Sequence, residues 1–242
     1  MTALVLAGGL GRRLQPYTLV LPKPLLPLEG EPLLALSLRR LKAEGFDRVV
    51  LAAGRLEALM RACLGDGGRY GVELLYLPEP RPLGTFGPVR LLDGGKPILV
   101  LNGDLLTLVP FADVLAFHVR AGADLTVVAR AERDPAPWGV VEARDGRVRS
   151  IVEKPARAGL MSAGIYALDP GVLAGWPRGE PVDAPAVITG FAAGGRHVAC
   201  YVTDAYWRDV GTPAAFRAAR RDCRRVPALR RLLSAAAGDQ SR

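Results

Sequence analysis

The stretch that decides the fold is Ala3-Leu4-Val5-Leu6-Ala7-Gly8-Gly9-Leu10-Gly11-Arg12-Arg13-Leu14. A short, wholly apolar run ends in a cluster of glycines. That pattern predicts a buried strand followed by a loop whose backbone N–H groups face an anion. The loop is not a dinucleotide fingerprint, because Leu14 stands where a third glycine is needed. It is not a Walker A loop either, because the Lys-Ser/Thr pair is missing. Outward from this strand the same grammar repeats. Buried strands are predicted at Arg48–Ala53, Val72–Leu77, Pro97–Leu101 and Asp124–Ala129. Helices are predicted at Leu33–Ala43 (cations outward), Leu56–Leu64, Phe86–Leu92 and Phe111–Arg120. Such alternation implies an α/β chain with a mixed, mostly parallel sheet flanked by helices.

After about Ala131 the rhythm changes. Gly139–Ala143 and Arg147–Val152 alternate in polarity and are joined by Asp145-Gly146, a hairpin turn pair. Further strands are expected at Ser162–Leu168 and His197–Val202, and a helix at Pro213–Arg221. The second half therefore reads as α+β. The expected organisation is a single domain over 1–225, with halves 1–130 and 131–225, and a basic, partly disordered tail over 226–242.

Composition narrows the function classes. Half of the 242 residues are apolar, enough for a full core. No apolar run of membrane-spanning length is free of charge and proline, and the N-terminus has no basic leader segment. Cys63, Cys200 and Cys223 are odd in number, far apart and without CxxC spacing, which points away from disulfides or zinc and towards a cytoplasmic protein. The net charge of +8 is concentrated near the C-terminus, from Arg217 to Arg231. No aromatic-interleaved motif accompanies it, so neither nucleic acid nor membrane is an expected partner. Of 32 cationic residues only Lys23, Lys42, Lys96 and Lys154 are lysine. Lys23 sits between Pro22 and Pro24, which fix its backbone and aim its compact ammonium. Lys42 and Lys96 read as solvent residues, and His118 and His197, outside every motif, as structural.

Six ordered segments carry a resemblance. Gly8 to Leu14 with Pro16, Thr18 and Pro22-Lys23-Pro24 comes first. Pro82-Leu83-Gly84-Thr85-Phe86-Gly87 and Leu101-Asn102-Gly103-Asp104 follow. Then come Trp138-Gly139-Val140-Val141-Glu142 with Val152-Glu153-Lys154-Pro155, Ser162-Ala163-Gly164-Ile165-Tyr166, and Tyr206-Trp207-Arg208-Asp209-Val210-Gly211-Thr212-Pro213. From about Thr2 to Arg221 the chain resembles the sugar-1-phosphate nucleotidyltransferases, the nucleotide-sugar pyrophosphorylases. The resemblance implies the Rossmann-like nucleotide-diphospho-sugar transferase fold, with the nucleotide bound by 1–130 and the sugar phosphate by 131–225. It also implies a reaction in which a sugar-phosphate oxygen attacks the α-phosphorus of an NTP and pyrophosphate leaves. Such a nucleophile is already ionised, so positioning and charge neutralisation do the work.

The resemblance implies roles as well. Ala7, Gly8, Gly9 and Gly11 cradle the triphosphate, and Arg13 holds its β- and γ-phosphates. Lys23 bridges the α-phosphate and the leaving group. Asp104 and Asp209 hold Mg2+, and Lys154 neutralises the sugar phosphate. Glu79, Gly84 and Thr85 line the base pocket. Gly139, Glu153 and Ser162 meet the sugar. Three positions depart from the family: Arg12 for a usual Thr, Phe86 for Ala and Ser162 for Asn. The sequence stops soon after the Asp209 segment, without the left-handed β-helix that many members append. Compact heptose- and mannose-1-phosphate guanylyltransferases look most similar, which favours GTP and a GDP-heptose or GDP-mannose product. A homodimer is compatible with this. Alternatives are a uridylyl- or thymidylyltransferase for glucose or N-acetylmuramate 1-phosphate, a cytidylyl- or guanylyltransferase acting on a non-sugar, and a silent regulatory paralogue that binds nucleotide sugars.

Overall fold

The computed structural model describes residues 1–9, 11–54, 56–79, 81–132, 139–153, 159–176 and 180–239. Along the chain run β1 (Thr2–Leu6), β2 (Pro27–Leu28), β3 (Glu31–Pro32), α1 (Leu33–Ala43), β4 (Arg48–Ala53), α2 (Glu57–Leu64), β5 (Glu73–Pro78), β6 (Ile98–Asn102) and β7 (Leu105–Thr107). They are followed by α3 (Phe111–Ala121), β8 (Leu125–Glu132), β9 (Gly139–Arg144), β10 (Arg147–Glu153), β11 (Gly159–Leu168), α4 (Ala184–Ala193), β12 (Val198–Val202), β13 (Trp207–Asp209), α5 (Pro213–Arg225) and α6 (Pro227–Asp239).

These elements form two compact units, and the chain passes between them more than once. The first comprises Met1–Arg81, Asn102–Val109 and Ala205–Arg242; the second comprises Pro82–Leu101 and Pro110–Asp204. The two units are interleaved along the chain, because two short strands, β7 and β13, bring their segments back to the first unit.

In the first unit β5, β4 and β1 lie side by side and all run parallel. Ala3, Leu4 and Val5 are fully buried, as are Val49, Leu51, Ala52 and Ala53. Strands covered on both faces need this continuous apolar composition rather than alternation. β7 and β13 form a separate antiparallel ladder. One core cluster joins Leu14, Leu28, Leu33 and Leu36 to Leu106, Val210, Phe216, Ala219 and Leu229.

Leu229 belongs to α6, so the stretch from 227 is a helix docked on the core rather than a tail. Leu229 is 1% exposed, and Leu232 and Leu233 pack against the same cluster. Burying one leucine contributes on the order of 1.5–3 kcal/mol, enough to hold a short helix down.

In the second unit the strand order is β6-β11-β8-β12-β10-β9. Here the sheet is mixed. β12 is parallel to β8, whereas β11 runs against both β6 and β8. β9 and β10 form the expected hairpin, and Asp145 (φ 53°) and Gly146 (φ 73°) adopt the left-handed pair that such a turn needs. The helix expected over Phe86–Leu92 is only a single 3-10 turn at Pro88–Leu91. Pro88 has no N–H to give, and the Phe86 N–H is already donated to the Val182 carbonyl at 2.7 Å.

Among the described residues no helix is long and apolar enough to cross a membrane. The three cysteines are free. His118 is buried with Nδ1 2.9 Å from the Thr126 hydroxyl, and burial lowers its pKa; it is a structural histidine. Lys42 pairs with Asp47 at the surface, and Lys96 is exposed.

Candidate active site

The glycine loop leaves the sheet where the β1 ladder ends. The last ladder bond runs from the Ala7 N–H to the Ala52 carbonyl (2.8 Å). Gly8 lies against the Glu79 carboxylate: a Cβ there would displace that side chain's end. Glu79 is placed by β5, and its own N–H donates to the Ala53 carbonyl at 2.8 Å. Gly11 is required by conformation, with φ 61°. Its carbonyl accepts a 2.8 Å hydrogen bond from Thr18 Oγ1, which closes the loop on the segment leading to Lys23. A Cβ on Gly9 would meet nothing within 4 Å. Ala7, Gly8, Gly9, Thr18, Pro22 and Lys23 line a common cavity.

This contrast gives a test. Gly9→Ala is expected to fold with an unchanged melting temperature yet to bind nucleotide at least about tenfold more weakly, because its methyl fills space over the amides. Gly11→Ala is expected to lower the melting temperature, since a side chain there is strained. Unimpaired nucleotide binding in Gly9→Ala, read by calorimetry, would remove the loop from the site.

Lys23 opens a 3-10 turn, Lys23–Leu25, with Pro22 before it and Pro24 within it. It is 9% exposed, unusual for a lysine. Its Nζ donates to Asp104 Oδ2 and lies 3.5 Å from Asp209 Oδ1. Residues 81 and 186 positions away are thereby gathered on one ammonium. Asp104 follows β6 in a turn whose Gly103 N–H donates to the Leu6 carbonyl at 2.8 Å. Asp209 ends β13, opposite Leu105 of β7, and the Val210 N–H donates to the Asp104 carbonyl at 2.9 Å. One small ladder therefore sets both carboxylates. Arg13 Nη2 stands 3.8 Å from Asp209 Oδ2 on the more exposed side. Gly211 makes room for this pair: a Cβ there would be 2.7 Å from Asp209 Oδ1 and 3.0 Å from Arg13 Nη2.

The charge arrangement is tense. Burial pushes the Asp104 carboxyl above the usual carboxylate range, Lys23 opposes that, and the like charge of Asp209 adds to it. Asp104 Oδ1 is buried and has no hydrogen-bond partner. An orphan carboxylate oxygen next to a second carboxylate is a donor set for a hard divalent cation. Among the described residues no group of three His, Cys, Asp or Glu side chains could hold a metal. Mg2+ needs no such cage, because it keeps waters and takes phosphate oxygens beside one or two carboxylates. The residues fit Mg2+ presented with a polyphosphate.

The second unit carries the remaining expected residues. Gly84 (φ 73°) lies against Val182 and Asp183, where a Cβ would come within 2.8 Å of the Val182 carbonyl oxygen. Thr85 follows it, and the Phe86 ring meets Tyr166 edge-on at 5.1 Å. Ser162, on β11, is buried with its hydroxyl 3.2 Å from the Tyr166 hydroxyl. Gly139 and Glu153 are direct cross-strand partners in the β9–β10 hairpin. Lys154 and Trp138 lie outside the described residues. The sequence reading gave Thr18, Gly211 and Tyr166 no role of their own. All three fall inside quoted segments, so their position was available but their contacts were not.

The family described as nucleotidyl transferase matches residues 2–225. The chain belongs to this family. Among nucleotidyl transferase relatives, it is 36% identical over 225 residues to a mannose-1-phosphate guanylyltransferase of Mycobacterium tuberculosis, covering 88% of this chain and 62% of that protein. It is 35% identical to mannose-1-phosphate guanylyltransferase 1 of Arabidopsis thaliana, with 88% and 62% coverage. The chain thus spans about three fifths of the length of these curated relatives. Among solved structures, a putative glucose-1-phosphate thymidylyltransferase from Bacillus anthracis superposes with TM-score 0.81 at 22% identity, covering 91% of this chain and 94% of that one. HddC from Yersinia pseudotuberculosis, complexed with GMP-PN, gives 0.77 at 24% identity, with 91% and 98% coverage. The nucleotidyl transferase chain therefore has the nucleotide-diphospho-sugar transferase fold expected from its six segments.

Proposed function

We propose that this chain transfers a nucleotidyl group from an NTP to a sugar 1-phosphate, with GTP and mannose 1-phosphate as the favoured pair. The observation that carries the proposal is the convergence of Lys23, Asp104 and Asp209, with Lys23 lining one cavity with Gly8 and Gly9 of the glycine loop. The transfer needs no general base, because the attacking phosphate oxygen is already ionised. A sugar-phosphate oxygen forms a bond to the α-phosphorus, and the bond from that phosphorus to the α–β bridging oxygen breaks. Pyrophosphate carries away the electron pair, so no proton need move to or from the protein.

The loop amides hold the triphosphate. Lys23, once freed from the carboxylates, neutralises charge at the α-phosphate and the leaving oxygen, and Arg13 does so for the departing phosphates. Asp104 and Asp209 would hold Mg2+, which supplies charge neutralisation between the two polyanions. By the resemblance, Glu79, Gly84 and Thr85 are assigned to the base, and Gly139, Glu153, Ser162 and Lys154 to the sugar phosphate. The guanine and mannose preference rests on the names of the relatives, which are 35–36% identical. Three free thiols suit a reducing, cytoplasmic setting.

The test is pyrophosphate release with Mg2+ across GTP, UTP, dTTP, CTP and ATP, each against mannose, heptose, glucose and N-acetylmuramate 1-phosphates, with products read by mass. GTP with mannose 1-phosphate is expected to exceed every other pair by at least about tenfold in kcat/KM. Brisk turnover with another nucleotide and none with GTP would sink the guanine assignment. Thermal stabilisation by ligands without any pyrophosphate release would sink the enzyme reading and leave a silent binder.

A further inference from the structure

The sequence places the cations of α1 outward, and the structure departs from that most clearly at Arg40. Arg40 has a side chain only 11% exposed. Its Nη1 donates to the Thr107 carbonyl at 2.6 Å and its Nη2 to the Val109 carbonyl at 2.8 Å. Glu44, one turn further along α1, pairs with the same guanidinium. The two carbonyls close the end of β7, the strand that begins directly after Asp104. From there the polar chain continues. Thr107 Oγ1 donates to the Tyr206 carbonyl at 2.9 Å and accepts from the Val109 N–H at 3.1 Å. The Leu108 N–H donates to the same Tyr206 carbonyl at 2.8 Å. Tyr206 leads into β13, whose Trp207, Arg208 and Asp209 pair with Thr107, Leu106 and Leu105.

A two-stranded ladder of three residues a side has little stability of its own. It must be anchored by what lies at its ends. Asp222 of α5 anchors β13, accepting from the Tyr206 hydroxyl (2.6 Å) and from Arg208 Nε (2.8 Å). Arg40 anchors β7. The planar fork holds two carbonyls from two nitrogens in a fixed geometry, which a lysine ammonium on a flexible stem does not reproduce.

We infer that Arg40 is a positioning residue for the Asp104–Asp209 carboxylate pair, acting through the β7–β13 ladder. This rests on the proposed metal-assisted transfer for its catalytic consequence but not for its structural one. A misplacement of the order of an ångström at a site of oriented charges costs up to about a hundredfold in rate. Loss of the fork on one strand is a milder displacement.

The experiment compares wild type and Arg40→Lys in the full chain. The readouts are Mn2+ binding in the presence of GTP by electron paramagnetic resonance, steady-state kinetics, and amide hydrogen exchange. The expected result is Mn2+ affinity about tenfold weaker, GTP kcat/KM about tenfold lower, and KM for the sugar phosphate unchanged within about twofold. Exchange at the Leu108, Val109 and Val210 amides is expected to quicken while helix amides elsewhere keep their protection. Wild-type Mn2+ affinity and unchanged exchange in folded Arg40→Lys would overturn the inference. If Arg40→Lys does not fold, Arg40→Gln is used: it removes the guanidinium fork and keeps a single amide donor for the Thr107 and Val109 carbonyls. The same loss of Mn2+ affinity is expected there, and normal affinity with unchanged exchange overturns the inference. If the wild type transfers no nucleotide, the proposed function fails, while exchange at Val210 still decides whether Arg40 holds the ladder.

Discussion

Lys23→Arg is expected to lose at least about a thousandfold in kcat/KM, about 4 kcal/mol of transition-state stabilisation, although net charge is unchanged. The reason is shape. Lys23 is buried between two prolines and puts a compact ammonium in the gap between Asp104 and Asp209. A guanidinium is broad and planar, and it would grip a carboxylate in a two-pronged pair that does not release to follow a phosphate. Lys23→Met separates charge from shape. It removes the only cation this side chain offers and leaves two carboxylates facing each other. That variant is expected to melt lower in EDTA, by the few kcal/mol that breaking a part-buried pair costs. Mg2+ is expected to restore its stability more than it raises that of wild type. The checks are initial rates for the arginine variant and melting curves with and without Mg2+ for the methionine variant. Near-normal turnover in Lys23→Arg would refute the site. A Mg2+ response no larger than wild type's would refute the shared cation position.

Asp104→Asn is expected to remove at least about a thousandfold of activity while leaving stability equal or raised. The two effects differ in sign because the same oxygen causes both. Asp104 Oδ1 is buried with no partner, and Asp209 stands close in charge. In the ligand-free protein an ionised carboxylate there is costly, so a neutral isostere relieves it. In the loaded protein that charge is what the cation needs. Active sites hold strain of this kind against the interest of stability. Thermal melts in EDTA and pyrophosphate-release rates in Mg2+ measure the two arms. A large fall in melting temperature would show Asp104 to be structural, and retained activity would deny it the metal.

Much of this was legible in residues 1–14 and in the segments around Lys23, Asp104 and Asp209. Buried strands such as β1 and β4 announce themselves because both faces are covered and nothing polar interrupts them. Proline on each side of Lys23 flagged a lysine that was aimed. Other features were hidden for physical reasons. β7 and β13 are three residues each, too short for any periodicity, so the ladder that carries both carboxylates left no pattern. Arg40 looks like any surface cation, because its carbonyl partners are 67 and 69 positions away. In α6 the leucines that dock the helix are set among arginines, and composition there masked spacing. Gly8 and Gly211 read simply as glycines; only the neighbours a Cβ would strike, Glu79 and the Asp209–Arg13 pair, separate them from Gly9.

The interleaving of the chain has a consequence for biosynthesis. The first unit receives its glycine loop within the first dozen residues and its last strand only after residue 204. A ribosome therefore emits the glycine loop early and Asp209 near the end. Until then β7 has no partner strand, and Lys23 meets one carboxylate instead of two. Closing contacts of such sequence separation is slow and comes late in folding. A nascent or truncated chain lacking residues 205–209 can present the glycine loop without the paired acids. The proposed site is then completed late, when the strand ending in Asp209 pairs with the one that begins after Asp104.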